Sequence, residues 1–235
     1  MSAFNFKQFK IHHEESFKVG TDGVLLGAWV NLENKKKILE IGSGSGLISL
    51  VLAQRTKNSQ ITGVEIDNLS FHESMKNVKE SPWTDRVKIY HDTIQHYSKK
   101  TDQFFDLIIS NPPFFTDALK STNKKKAIAR HTDKLPFSDL LKVTSKHLTE
   151  NGTLALILPK TEGDIFIDQA IRQGLFLTRV TEVQSKKEKP TERLLIEFGR
   201  IKKKLKKDQL IIQFEKRNDY TTDYINLTKD FYTIM

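Results

Sequence analysis

The chain has 235 residues, with 38 lysines and arginines against 29 aspartates and glutamates, a net charge of +9 and no cysteine. At roughly 150 residues per domain, this length predicts one large domain, or one domain with appendages, and no second catalytic domain. The absence of cysteine excludes disulfide bonds, thiolate zinc sites and a cysteine nucleophile. The excess of positive charge favours a polyanionic partner, because basic side chains along a phosphate backbone gain from counterion release.

The amino-terminal residues contain no uninterrupted apolar region of the kind found in signal peptides, and no segment approaches the roughly 18 apolar residues of a membrane span. We therefore expect a cytoplasmic protein with no membrane partner.

The first apolar residues mostly alternate with polar ones, which predicts an extended segment that packs on a sheet; they are Phe4, Phe6, Phe9 and Ile11.

After this segment, short apolar runs alternate with stretches of helical periodicity, which predicts a parallel sheet with helices on both faces. The predicted strands are 37–41, 60–65, 87–91, 105–110, 153–158, 175–184 and 193–199, so the sheet has seven strands. The predicted helices are 21–29, 47–55, 70–79, one that ends near Gly152, and 162–173, followed by a strand and a short helix within 210–235. We expect a single domain, with an amino-terminal extension (1–34), a core (35–200) and a basic carboxyl-terminal part (201–235).

Two of the predicted helices carry candidate caps. Thr21 and Asp22 can cap the helix that runs to Trp29. Ser70, with Glu73 three residues later, fits a capping box at the beginning of the helix at 70–79.

A glycine-rich stretch, E-I-G-S-G-S-G at 40–46, connects the first strand of the core to its helix. Glycines let the backbone approach a ligand closely and leave the amide groups of the helix facing it. Gly42, Gly44 and Gly46 are spaced G-x-G-x-G, whereas the dinucleotide fingerprint is G-x-G-x-x-G and position 47 here is leucine. The stretch therefore favours an adenosyl cofactor over a nicotinamide dinucleotide.

Acidic residues follow the next two strands. Glu65 ends the second strand, where a pair of acceptors can take both ribose hydroxyls of an adenosyl group. Asp67 is the weaker candidate for this role and can instead cap a helix. Asp92 follows the third strand, and it is either an acceptor for the adenine amine of the cofactor or a turn residue.

The fourth strand leads into S-N-P-P-F-F at 110–115. Asn111 can accept one N–H bond of a planar amine, and the stiff turn of Pro112 and Pro113 can present a backbone carbonyl to the other. Phe114 can stack on a base, a contact worth about 1 to 3 kcal/mol. The alternative is a proline turn with Phe114 and Phe115 in the core, but the preceding glycine motif favours direct in-line methylation of an exocyclic amine, without a metal.

The lysines occur in runs at 35–37, 124–126, 186–189 and 202–207. Such runs are most often solvated faces, and we assign 35–37 to solubility. The cluster of Lys124, Lys125, Lys126 and Arg130 differs in position, since it follows the N-P-P-F-F turn. There the phosphates of a nucleic-acid substrate would pass.

Three parts of the chain carry a resemblance to a known family. They are F-K-Q-F-K-I and F-K-V-G-T-D-G-V-L-L-G-A-W near the amino terminus, E-I-G-S-G-S-G with V-E-I-D and S-N-P-P-F-F in the core, and Y-T-T-D-Y-I-N-L-T-K-D-F-Y at 220–232. With these segments the chain resembles class I S-adenosylmethionine-dependent methyltransferases of the N6-adenine type, and more narrowly the tRNA1(Val) (adenine-N6)-methyltransferases. The resemblance implies a Rossmann-like seven-stranded fold, S-adenosylmethionine as cofactor, and tRNA as partner without an obligate protein partner. The target would be the adenine immediately 3′ of the anticodon of a valine tRNA.

The resemblance also implies roles for individual residues. The cofactor side would be formed by Lys18, Thr21, Asp22, Glu40, Gly42, Ser43, Gly44, Gly46, Glu65, Asp92 and Asn111. The target base would be held by Asn111, Pro112, Pro113 and Phe114, and Arg130 matches a family position near the RNA. We add Phe115, Lys124, Lys125 and Lys126 as candidate RNA contacts from their position in and after the N-P-P-F-F turn.

Three alternatives remain at this point. A related enzyme with the same proline turn could methylate guanine N2 in ribosomal RNA or a glutamine side chain in a release factor, although the lysine-rich surface favours RNA over a protein substrate. A nicotinamide-dependent oxidoreductase is disfavoured by the glycine spacing. A noncatalytic RNA-binding protein with a relic pocket would fail to bind S-adenosylmethionine.

Overall fold

The computed structural model of the chain describes residues 2–13, 19–113 and 135–234, and the structural statements below refer to these ranges. A small hairpin consists of β1 (Ser2–Asn5) and β2 (Lys10–His13). The main sheet consists of β3 (Lys37–Ile41), β4 (Gln60–Glu65), β5 (Val87–His91), β6 (Phe105–Ser110), β7 (Leu148–Pro159), β8 (Phe176–Gln184), β9 (Arg193–Gly199) and β10 (Lys206–Ile211). The helices are α1 (Thr21–Trp29), α2 (Leu47–Arg55), α3 (Asn68–Lys79), α4 (Ile94–Lys100), α5 (Phe137–His147), α6 (Lys160–Arg172) and α7 (Thr222–Thr228).

The strands of the main sheet lie in the order β10-β8-β9-β7-β6-β3-β4-β5. β9 runs antiparallel to β7 and β8, and the other neighbours are parallel. The predicted α/β class is confirmed. The predicted number of seven strands was one too low, because the lysine-rich residues 206–211 add β10 to the edge of the sheet.

Two apolar clusters cover the two faces of the sheet. One contains the buried side chains of α1 and α2 together with those of the hairpin and the carboxyl-terminal tail. The other contains those of α5 and α6, with Phe105, Phe166 and Phe198 among its completely buried members. In the first cluster, α1 approaches α2 so closely that a Cβ atom on Gly27 would lie 2.7 Å from Cγ1 of Val51.

Among the predicted helices, one end, one beginning and one cap were wrong. The helix expected to end near Gly152 ends at His147, and β7 begins at Leu148, because residues 149–152 bulge out of the pairing with β6 instead of extending the helix. α3 begins at Asn68 with Asp67 as its N-cap, whose carboxylate accepts from Ser70 N at 2.8 Å, so Ser70 lies inside the first turn. α1 has Gly20 as its N-cap and no side-chain cap bond.

The amino-terminal segment is extended, as predicted, and bonds to the opposite end of the chain. Phe6 stacks on Tyr232, with ring centroids 5.8 Å apart, and the backbone N–H of Lys7 donates to Phe231 O at 2.8 Å. Gln54 of α2 donates to Asp230 O at 2.8 Å, so the tail is also tied to the helix layer. The carboxyl-terminal residues therefore form part of the folded domain rather than an appendage.

None of the helices in the described ranges is both long enough and apolar enough to cross a membrane.

Candidate active site

The candidate residues converge at one edge of the sheet because β3, β4, β5 and β6 are parallel and end there. The chain moves outward from β3 in one direction through β4 and β5, and in the other through β6 and β7. The loops after β3 and β6 thus flank the point at which the strand order reverses. Open α/β sheets bind ligands at such a point, and here these loops carry the glycine stretch and Asn111.

The glycine loop has a backbone conformation that other residues rarely adopt. Gly42, Gly44 and Gly46 have φ angles of 74°, 52° and 80°, which lie in the left-handed region. The loop is tied to the end of β4, since Gly42 N and Ser43 N donate to Val64 O at 2.9 and 3.2 Å. A Cβ atom on Gly42 or Gly44 would meet no heavy atom of the described residues within 4 Å. The loop therefore borders open space that a ligand can occupy.

Glu65 is fixed at the end of β4 by the loop it faces. Its two carboxylate oxygens accept from Gly44 N at 2.7 Å and from Asp67 N at 2.8 Å. The side chain is also buried. Burial and these two hydrogen bonds together fix its orientation before any ligand binds. Each oxygen keeps acceptor capacity for a hydroxyl group. This is the geometry required to hold a diol such as ribose.

Glu40 lies behind the loop and faces α2. It is 1% exposed, and Ser49 Oγ donates to its carboxyl group. The pKa of Glu40 is raised to about 8, mainly by burial and to a smaller extent by the nearby charge of Glu65, while the hydrogen bonds from Ser49 oppose the increase. Within the described ranges, Glu40 contacts α2 through Ser49, which indicates that it stabilises the glycine loop rather than lining the open space beside it.

Asp92 follows β5 and lies beside Glu65, because its backbone N–H donates to Glu65 O at 3.0 Å. Its carboxylate accepts from Thr93 N at 2.8 Å and from His96 Nδ1 at 2.8 and 3.0 Å. The turn role left open by the sequence is therefore present. It does not exclude the other role, since Oδ2, which accepts only from His96 among these donors, retains a lone pair for an adenine amine. His96 was not among the predicted site residues.

Asn111 directly follows β6, whose end is anchored to β3 by a bond from Ser110 Oγ to Ile41 O at 2.7 Å. The side-chain oxygen of Asn111 is buried, as is the hydroxyl of Ser43 in the glycine loop, and neither has a hydrogen-bond partner within the described ranges. A buried acceptor without a donor costs about 1 to 3 kcal/mol. Such groups are rare in folded proteins and call for an explanation, of which a ligand that supplies the donor is one.

The loop is held from the other side by Asn77, which the sequence analysis also missed. This residue is completely buried in α3. Its Oδ1 accepts from His12 N at 2.8 Å, and its Nδ2 donates to His12 O at 3.1 Å and to Ser45 O at 2.9 Å. One amide thus connects the amino-terminal hairpin to the glycine loop.

The remaining predicted residues divide into two groups. Thr21 is exposed at the beginning of α1, and the carboxylate of Asp22 accepts from Arg193 Nε at 2.9 Å, where β9 begins beside the end of β7. Pro112 is buried and Pro113 exposed. Seven predicted residues lie outside the described ranges: Lys18, Phe114, Phe115, Lys124, Lys125, Lys126 and Arg130.

Within the described ranges, no group of three or more histidine, aspartate or glutamate side chains is arranged to hold a metal ion.

Comparisons with known proteins agree on one family. The family described as "Methyltransferase small domain" matches residues 14–172. The chain is 41% identical over 236 residues, covering 100% of both chains, to tRNA1(Val) (adenine(37)-N6)-methyltransferase of Pseudoalteromonas translucida. It is 44% identical over 232 residues, covering 97% of both chains, to the protein of the same name in Trichodesmium erythraeum.

Solved structures show the same fold at low sequence identity. A "predicted O-methyltransferase" from Agrobacterium tumefaciens has a TM-score of 0.65 at 16% identity and covers 89% of this chain and 96% of its own. The N-terminal domain of human METTL16 in complex with SAH has a TM-score of 0.53 at 16% identity, with coverages of 83% and 76%. At these identities the likeness extends to the fold alone.

Proposed function

The chain belongs to the methyltransferase small domain family and, within it, to the tRNA1(Val) (adenine(37)-N6)-methyltransferases, and we propose that it shares their activity. It would transfer a methyl group from S-adenosylmethionine to N6 of the adenine immediately 3′ of the anticodon of a valine tRNA. The observation that carries this proposal is the pair of buried, unpartnered oxygens of Ser43 and Asn111 on the two loops that flank the switch point of the sheet.

The residues present fit an adenosyl cofactor. The open space over Gly42 and Gly44 admits a ligand against the backbone. The oriented carboxylate of Glu65 suits the ribose hydroxyls, and that of Asp92 suits the adenine amine. We place Ser43 and Asp22 on the same side, with Asp22 held in position by Arg193. When bound, S-adenosylmethionine supplies a methyl group activated by the positive charge of its sulfonium.

Asn111 orients the amine that accepts the methyl group. The lone pair of an aromatic amine is delocalised into its ring, so the amine reacts only when its N–H bonds are held and the lone pair points at the methyl carbon. The Asn111 oxygen accepts one N–H bond. Pro112 carries no N–H that would compete for an acceptor, and its ring restricts the turn that presents a carbonyl for the other. The amine becomes strongly acidic once alkylated and loses its proton to solvent.

The RNA must bring its target base out of the stack, which costs a few kcal/mol and less in a loop than in a duplex. An anticodon loop meets this condition. Phe114 and Phe115 are our candidates for stacking on the base, and Lys124, Lys125, Lys126 and Arg130 for contacts to phosphates. The family resemblance supports Phe114 and Arg130, and the position in or after the N-P-P-F-F turn supports the others.

The test is methyl transfer from labelled S-adenosylmethionine to an unmodified valine tRNA transcript, with the product nucleoside identified by mass spectrometry. We expect N6-methyladenosine. We expect Asn111→Ala to lower kcat/KM about 100-fold, the order observed when one hydrogen bond to a transition state is removed. The matched control is Asn226→Ala, which removes an exposed amide on α7 and should leave kcat/KM unchanged.

Two results would contradict the proposal. If the wild-type protein binds S-adenosylmethionine but methylates no tRNA, the substrate assignment is wrong, and ribosomal RNA and release factors become the next substrates to test. If Asn111→Ala retains the wild-type kcat/KM, Asn111 does not orient the amine.

A further inference from the structure

A concentration of positive charge lies at the edge of the sheet opposite the candidate active site. β3, β6, β7 and β10 all begin at that edge, since they run in the same direction. Within the four segments where these strands begin, eleven residues are lysine or arginine and four are aspartate or glutamate; the segments are 33–37, 99–106, 148–153 and 200–207. We call this surface the amino edge.

The lysines of the amino edge form one surface. Those at 36–37, which the sequence alone assigned to solubility, and those at 202–204 and 206–207 are all exposed. Lys203 lies close enough to Lys35 that its charge contributes to lowering the pKa of Lys35, after the larger effect of burial and against the charges of Asp106 and Glu197. The loop before β10 therefore lies near the beginning of β3, although about 165 residues separate them in sequence.

An open groove of about 690 Å³ lies in this surface. Its charged lining residues are three lysines and two aspartates (Lys36, Lys37, Lys100, Asp102 and Asp106), and it also includes Phe104, which is 57% exposed. Positive charges gathered in this way repel one another and attract counterions. A phosphate backbone relieves that repulsion and releases the counterions, and an exposed aromatic ring among lysines offers a face for a base or a sugar.

We propose that the amino edge binds the phosphate backbone of the tRNA outside its anticodon arm while the target base occupies the site at the opposite edge. This inference rests on the proposed function. β6 has six residues and spans about 20 Å at about 3.3 Å per residue. A nucleic-acid duplex presents roughly one phosphate per 2 Å of its axis, so about ten phosphates lie along that distance. An RNA stem that lies along the helix layer of the protein is therefore long enough to contact both edges of the sheet.

The test compares two pairs of lysine substitutions at the amino edge with a matched pair elsewhere. The variants are Lys203→Gln/Lys204→Gln and Lys36→Gln/Lys37→Gln. The control is Lys88→Gln/Lys142→Gln, which removes two exposed charges from β5 and α5. The dissociation constants of full-length valine tRNA and of its isolated anticodon stem-loop are measured between about 50 and about 200 mM salt.

For full-length tRNA, we expect each amino-edge variant to bind about 10-fold more weakly than the control and to lower the slope of log Kd against log salt concentration by about 2, one for each lost phosphate contact. Binding of the stem-loop and of S-adenosylmethionine should match the control. If the Kd and slope for full-length tRNA equal those of the control, the proposal is wrong. It is equally wrong if the stem-loop loses as much affinity as the full tRNA, because the contact would then lie within the anticodon arm.

Two further outcomes separate this inference from its alternatives. If the variants lose binding to phosphatidylglycerol vesicles while tRNA binding is unchanged, the surface serves a membrane and the proposal is overturned. If the expected losses in tRNA binding occur but the wild-type protein methylates no tRNA, the surface stands and the proposed function fails.

Discussion

Replacing Asn77 by alanine should destabilise the protein more than most single substitutions. The change removes one amide that satisfies three backbone groups: His12 N, His12 O and Ser45 O. Each buried group left without a partner costs about 1 to 3 kcal/mol. Water admitted to the vacated space can restore part of this bonding, so we expect the lower end of the sum, about 3 kcal/mol in the free energy of unfolding.

That loss corresponds to a decrease in Tm of about 6 to 12 °C, at about 2 to 4 °C per kcal/mol for a chain of this size. We also expect weaker binding of S-adenosylmethionine, because Ser45 belongs to the glycine loop. Urea unfolding measures the first effect, and calorimetric titration with the cofactor measures the second. Asn226→Ala, at an exposed helical position, is the control and should stay within about 0.5 kcal/mol of the wild type.

Asn77→Asp separates the acceptor from the donors of the amide. The carboxylate still accepts from His12 N, but it faces the carbonyl oxygens of His12 and Ser45 with no proton to donate. We expect this variant to be as unstable as Asn77→Ala at neutral pH and to recover stability at acidic pH, where the protonated acid donates one bond. If Asn77→Ala differs from the Asn226→Ala control by less than about 1 kcal/mol, the amide does not connect the hairpin to the loop in the way the distances imply.

Three further substitutions test the packing and the electrostatics of the site. In Gly27→Ala the new methyl group would lie 2.7 Å from Val51, and we expect urea unfolding to show a loss of about 1 to 3 kcal/mol in the free energy of unfolding. Val51→Ala should partly restore it. An unchanged stability would show that α1 shifts away from α2 without cost. Gly46→Ala places a side chain at a backbone φ of 80°, which should cost about 1 to 2 kcal/mol of strain. We also expect weaker cofactor binding by calorimetry. Wild-type affinity would rule out a role for the loop conformation in binding. The pKa of Glu40 is raised from 4.5 to about 8, so its contribution to stability is present below pH 4.5 and is lost as the pH rises through about 8. Glu40→Gln should therefore make the decline of the unfolding free energy across that pH range less steep. An equally steep decline would show that the pKa of Glu40 is not raised.

The strands of the core were predictable because their apolar runs are short and bounded by polar turns. β10 was not, and a strand was expected only from 210 onward, since the first four of its six residues are polar or charged and they lie at the edge of the sheet, where one side of the strand needs no apolar cover. The beginning of α3 was misplaced for a different reason. Asp67 and Ser70 are both good caps by composition, and only the backbone geometry selects Asp67.

For the candidate site, residues that follow a strand could be found from the sequence, and residues that support them could not. Glu65, Asp92 and Asn111 each come at or directly after an apolar run, so their meeting at one edge follows from a parallel sheet. Asn77 and Arg193 lie inside or at the start of regular elements without a local motif. Their partners are 32 to 171 residues away, and pairs so distant emerge only from the folded packing.

Because Phe6 and Lys7 pair with residues 231–232, the amino-terminal hairpin completes its contacts only late in protein synthesis. During translation the first residues emerge long before their partners are made. At about 5 to 20 residues per second, synthesis of the intervening chain lasts on the order of 10 to 50 s. Throughout that interval the aromatic side chains of the hairpin lack Tyr232, against which they later stack. The cofactor loop is tied to this hairpin through Asn77, so the nascent chain should gain its full affinity for the methyl donor only after residues 231–232 have left the ribosome.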